Sequence, residues 1–240
     1  MKKFTLSLLT LALVVFSTAL KAQSVDEILA KHFAAVGQDK LSQVETMRAE
    51  GMVVLAAMGI ELPFTQYYAK GGKIRVESSI QGMTILQVID GEKGWMINPM
   101  MGPEPQEMSE LDLANMMLNS DVEGPFFNYK EKGHTVEFVG KDQFQGADVY
   151  KLKLTMKNGM EVTYFLDADA YLPLKTEAKV DAMGMSVTST AILGDYKTVD
   201  GIMMAFSIES SAMGQSTVIK MNKVEFNVPV DQAMFKKPGK

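Results

Sequence analysis

Tyr150-Lys151-Leu152-Lys153-Leu154-Thr155-Met156 decides the fold class. Apolar and polar residues alternate without a break, the two-residue period of a strand with one buried face. The same period runs through Ile74, Val76 and Ile80, interleaved with Arg75, Glu77 and Ser79. It returns in Met160, Val162, Tyr164 and Leu166, and again in Ile202, Met204, Phe206 and Ile208. Hairpin-type turn signals separate these runs: Gly71-Gly72, Gln81-Gly82, Asn158-Gly159 and Asp200-Gly201. Three more turns share one pattern, Ala57-Met58-Gly59, Ala182-Met183-Gly184 and Ala212-Met213-Gly214. About ten strands are expected between Val44 and Phe226. Their spacing leaves no room for crossover helices, so the sheet should be antiparallel.

Two stretches break the strand period. Ser24 and Glu27 form a capping-box pair ahead of Ile28, Leu29, His32, Phe33 and Val36, which recur at helical spacing up to Gly37. Ser109 with Asp112 marks a second helix start, and Leu111, Leu113, Met116, Met117 and Leu118 give it an apolar face. A loop holding Pro99, Pro103 and Pro105 precedes it. The fold expected is mainly β within the α+β class: an open antiparallel half-barrel with two or three helices over its concave face. Such a face leaves an apolar space that need not be filled.

The first 22 residues read as a secretory signal peptide. Lys2 and Lys3 are followed by an uncharged apolar run from Leu6 to Leu20, and Ala22 precedes Gln23. The run is shorter than the roughly 20 residues of a membrane span. Cleavage after Ala22 would leave residues 23–240 as a single domain. The chain has no cysteine, so anchoring through a lipidated N-terminal Cys is excluded, and a periplasmic location is expected. The leader holds three lysines and no acid, which leaves 21 basic against 29 acidic residues, a net charge of −8. An acidic surface argues against nucleic acid and against unaided docking on anionic lipid.

No catalytic constellation emerges, and none is expected. His32 falls on the apolar side of its helix, and His134 stands at a turn or strand edge. The two are too far apart for a metal-ligand spacing. Asp167 and Asp169 read as a capped turn. Nucleophile-elbow and phosphate-loop motifs are missing. No cofactor or metal is therefore expected. Methionine is abundant at 20 residues. It either replaces leucine in ordinary packing or lines a surface that accepts varied apolar ligands. Met100-Met101, Met183-Gly184-Met185 and Met203-Met204 also admit Cu(I), but neighbours on a strand point to opposite faces.

One stretch carries a resemblance. Lys70-Gly71-Gly72-Lys73-Ile74-Arg75-Val76-Glu77 is followed by Val88-Ile89-Asp90-Gly91, then Trp95 and Pro99. The chain ends in Val230-Asp231-Gln232-Ala233-Met234-Phe235 and Lys237-Pro238-Gly239. This order resembles the outer membrane lipoprotein-sorting carriers, LolA/LolB-like proteins, in exported forms from Bacteroidetes-type bacteria. Arg75, Asp90, Gly91, Trp95 and Pro99 match by position. The resemblance implies a periplasmic carrier that holds acyl chains, the lipid of a lipoprotein or another hydrophobic ligand. It also implies partners among inner- or outer-membrane envelope proteins. The expected cavity lining is Ile74, Val76, Trp95, Leu113, Met116, Met117, Tyr164, Met204 and Phe206. Trp95 reads equally as core. The competing function is a lipid-free interaction or sensor module on the same half-barrel, with Cu(I) binding by methionine third.

Overall fold

A computed structural model describes residues 24–109, 112–113, 116, 121–182 and 185–239. The signal-peptide reading, Leu111, Met117, Leu118 and the Met183-Gly184 pair fall outside the described residues. From the N-terminus, the capping box forms as the sequence demands. Ser24 Oγ accepts from the Glu27 amide at 3.1 Å, and the Glu27 carboxylate accepts from the Ser24 amide at 3.2 Å. Helix α1, Val25–Val36, follows. Gly37 closes it in the left-handed conformation, φ 74°, where a side chain would also collide with the Gly201 carbonyl. A single helical turn, α2, Gln38–Leu41, leads into the sheet.

The first six strands are β1 (Thr46–Leu55), β2 (Ile60–Ala69), β3 (Lys73–Ile80), β4 (Met83–Asp90), β5 (Lys93–Asn98) and β6 (Gly102–Glu107). Seven more follow residue 134. They are β7 (Thr135–Phe144), β8 (Ala147–Thr155), β9 (Glu161–Asp167), β10 (Pro173–Ala182), β11 (Met185–Val199), β12 (Ile202–Ala212) and β13 (Gln215–Phe226). The expected ten strands become thirteen among the described residues, in one antiparallel sheet. One addition is β6, whose Pro103 and Pro105 had read as loop. Proline cannot donate to a ladder, but β6 is an edge strand where that donor is not needed.

The strand order is β6-β5-β4-β3-β2-β1-β13-β12-β11-β10-β9-β8-β7. The chain starts at the centre, meanders to one edge, then restarts at the other edge and meanders back to pair β13 with β1. Edge strands β6 and β7 do not meet, so the half-barrel stays open. Hairpins supply the reversals. Gln81-Gly82, Asp200-Gly201 and Met213-Gly214 all hold positive φ at both central positions, the conformation that matches the strand twist.

This topology takes the chain from edge strand β6 across to edge strand β7, and the described residues between them pack on the concave face. Met108, Leu113, Met116 and Val122 pack with Met47, Tyr68, Ile74, Ile89 and Phe206. Phe126 and Tyr129 pack with Leu152, Leu154, Leu166 and the α1 residues Ile28 and Leu29. The crossing starts as expected, with the Asp112 amide donating to Ser109 Oγ at 3.1 Å. Gly94 makes room for it. A Cβ there would lie 2.7 Å from Met108 Sδ and 2.9 Å from Leu113 Cδ1.

Candidate functional site

Strand register determines which side chains share the concave face. Met47, Tyr68, Ile74, Ile89 and Gly94 pair successively across β1 to β5 and form its deepest row. The next row is Ala49, Gln66, Val76, Gln87 and Met96. Gly51, Phe64, Ser78 and Ile85 come next, and Val53 pairs with Leu62 beyond them. Gly51 is required there, because a Cβ would stand 2.7 Å from the Phe64 ring. On the other flank, Gly51 and Val53 meet Met221 and Ile219 of β13, and Ile219 meets Ile208 of β12.

These rows enclose a cavity of about 440 Å³. Its walls come from β1–β4, β12 and β13, with Met116 and Val122 of the crossing segment above. The lining is apolar except for Gln66, Ser78 and Gln87, and no charged residue contributes. In the packed cluster beside it, burial and then the fields of Asp121, Glu123 and Glu45 push the Tyr68 phenol up to about 12.

Of the expected lining, Ile74, Val76, Met116 and Met204 face the cavity. Leu113 and Phe206 belong to the packed cluster beside it. Tyr164 does not reach it. Its ring centroid lies 4.6 Å from Phe126 in the second cluster. Trp95 is a correction. It pairs with Val88, which pairs with Arg75 and in turn Tyr67 and Arg48, so all five lie on the outer face. Gly94 takes the inward position next to it because the crossing segment leaves no space for a side chain.

The family-matched residues have structural surroundings. Arg75 donates to the Met234 carbonyl at 3.0 Å and pairs with Glu77 at 2.6 Å. It pins the C-terminal 3-10 turn, Gln232–Phe235, to the outer face, where Phe235 and Val88 are fully buried. Asp90 stands 3.9 Å from Lys73, Gly91 takes φ 64° in the turn after β4, and Pro99 opens the β5–β6 turn.

The remaining candidates resolve as packing or turns. His32 Nδ1 lies 2.8 Å from the Tyr171 carbonyl, and burial holds its imidazole below the ordinary value. His134 Nδ1 accepts from the Lys157 amide at 3.1 Å. Asp167 accepts from the Asp169 and Ala170 amides at 2.9 and 2.6 Å, a capped turn. Among the described residues no His, Asp or Glu group is arranged to hold a metal ion, and no helix is long and apolar enough to cross a membrane.

Sequence reading missed Gln66, Ser78 and Gln87, which break the apolar pattern on the inward face. It also missed how the exposed methionines gather. Met58, Met83, Met100, Met101 and Met213 are 38–73% exposed. They stand at the β1–β2, β3–β4, β5–β6 and β12–β13 turns, which antiparallel order brings to one end of the sheet.

A family described as "Uncharacterized protein"-like matches residues 74–238, from β3 through the C-terminal turn. The chain belongs to that family. Its fold is shared with solved structures of low identity. A LolA superfamily protein from Nitrosomonas europaea superposes with a TM-score of 0.60 at 14% identity, covering 88% of this chain and 97% of that one. A putative outer membrane lipoprotein-sorting protein domain from Vibrio parahaemolyticus gives 0.57 at 18%, covering 85% and 96%. A DUF1329 family protein from Desulfovibrio piger gives 0.62 at 16%, covering 87% and 97%. The resemblance read from Lys70–Pro99 therefore holds for the fold. No curated protein matches the chain by sequence.

Proposed function

We propose that this family member is an exported, non-enzymatic carrier that holds an acyl chain or similar apolar ligand in the concave cavity. The observation that carries the reading is the cavity itself. Its volume, about 440 Å³, falls in the range of roughly 300–1,000 Å³ typical of small-molecule sites. Its lining offers methionines 47, 116, 204 and 221, whose unbranched thioethers adapt to ligands of varied shape. Burial of about ten methylenes at about 0.8 kcal/mol each, less ordering costs, supports micromolar binding. The shared fold with a lipoprotein-sorting domain supports the same reading, with the lipid of a lipoprotein as ligand and envelope proteins of the inner or outer membrane as partners. The signal-peptide pattern supports a periplasmic location. The methionine-bearing end of the sheet is the natural side for ligand transfer, because it continues the apolar wall past Val53 and Leu62.

The test is titration of residues 23–240 with N-phenyl-1-naphthylamine, a neutral probe that brightens in apolar surroundings. Saturable binding that acyl esters displace, and that Met204→Trp abolishes, is the expected result. No saturable binding would reject the carrier and favour a lipid-free envelope interaction module.

A further inference from the structure

The cavity has hydrogen-bonding capacity but no charge, and the two facts together define the ligand's chemistry. Gln66 and Gln87 flank Val76 on the inward row, each one strand away from it. Ser78 sits on the next row toward the methionine-bearing end. None of the three side chains has a hydrogen-bond partner among the described residues, although all three line the cavity. An apolar occupant would strip water from these groups and leave them unpaired, which is unfavourable. An ionised occupant would meet no Lys, Arg or His in the lining, and a charge without a counter-charge in an apolar pocket is strongly disfavoured. The neutral carboxamides both donate and accept. They suit a neutral polar group joined to a hydrocarbon chain.

We infer that Gln66 and Gln87, with Ser78, form a polar subsite selecting uncharged ester- or amide-linked acyl chains over ionised free fatty acids. The carbonyl of the linkage accepts from one carboxamide, and the hydrocarbon lies along Val76, Ile219, Met204 and Met221. This rests on the carrier reading and deepens it, because it sets which end of the ligand the deep rows recognise.

The test compares decane, methyl decanoate and sodium decanoate as competitors of the naphthylamine probe at about pH 8, where the acid is ionised. The wild-type protein should bind the ester about tenfold or more tighter than the carboxylate, and tighter than decane. The Gln66→Leu/Gln87→Leu variant should keep its affinity for decane and lose most of the preference for ester over decane. Gln66→Met/Gln87→Met, which preserves side-chain length, is the second variant if the first does not fold. Equal affinity for carboxylate and ester, or an ester preference unchanged in the folded variant, would overturn the subsite while leaving the carrier intact. Failure of the naphthylamine probe, decane and the ester to bind at all would remove the carrier reading and the subsite together.

Discussion

The two halves of the concave face use the same strand alternation, yet one is filled and the other is hollow. Under α1, the inward residues of β8 and β9 meet Ile28, Leu29 and an aromatic set. Phe126 lies 4.6 Å from Tyr164 and 5.7 Å from His32, and Tyr150 stacks on Tyr171 at 5.6 Å. Leu152, Leu154 and Leu166 are fully buried there. In the other half, Met108, Leu113, Met116 and Val122 supply the described cover, and the sheet rows include Gly51, Gln66 and Ser78. Large rings and helix α1 close one half. Smaller, flexible or polar side chains leave the other about 440 Å³ short of filled. Stability should therefore be concentrated in the first half and binding in the second.

The largest expected effect is on stability. Leu152→Ala in the filled half should cost about 2–5 kcal/mol, because its tightly packed neighbours cannot collapse onto the gap. Met204→Ala beside the existing cavity should cost clearly less. Chemical denaturation of both variants checks this, and equal losses would erase the distinction between the halves.

Filling the hollow half comes next. Ile219→Trp should weaken acyl-ester binding at least tenfold while shifting stability by less than the roughly 1–3 kcal/mol that overpacking a dense core costs. Severe destabilisation would mean that the cavity closes in solution.

A pH effect near neutrality should belong to the filled half. Burial lowers the His32 pKa from 6.5, so the folded state favours the neutral ring. The stability this contributes is full above that unfolded value and is lost as pH falls through the lower folded value. Denaturation midpoints should therefore drop below about pH 6.5, and His32→Gln should flatten that part of the profile. Parallel profiles for wild type and variant would assign the acid sensitivity to other groups.

The smallest expected effect is at Trp95. Because it lies on the outer face, an acyl ester entering the cavity should leave its emission nearly unchanged, and Trp95→Phe should leave affinity within about twofold. A large ligand-induced blue shift would place the ligand outside the concave face.

Much of this architecture was legible in the sequence. Alternation in Tyr150–Met156 and its counterparts gave the antiparallel class, and Ser24, Glu27 and Gly37 bounded α1 to the residue. Gly91 and the Trp95 region carried the family order. What escaped depends on distant parts of the chain. The face of Trp95 follows from the approach of Met108 and Leu113 to Gly94, which no local period encodes. Strand β6 was hidden because its prolines are tolerated only at an edge, and edge position is a property of the whole sheet. Gln66 and Gln87 carry no local signal, and only the register places them on either side of Val76. Tyr164 alternates like Val76, but only the crossing segment decides that it meets Phe126 rather than open space.

The most direct measurement uses the methionines as reporters on both halves. Residues 23–240 carrying ¹³C-methyl methionine would be titrated with methyl decanoate and followed by NMR. The methyl signals of Met47, Met116, Met204 and Met221, which line the cavity, should shift together and saturate. Met156, packed against the filled cluster, should not move. Shifts spread evenly over both halves, or saturable binding with the four cavity signals unmoved, would contradict the account.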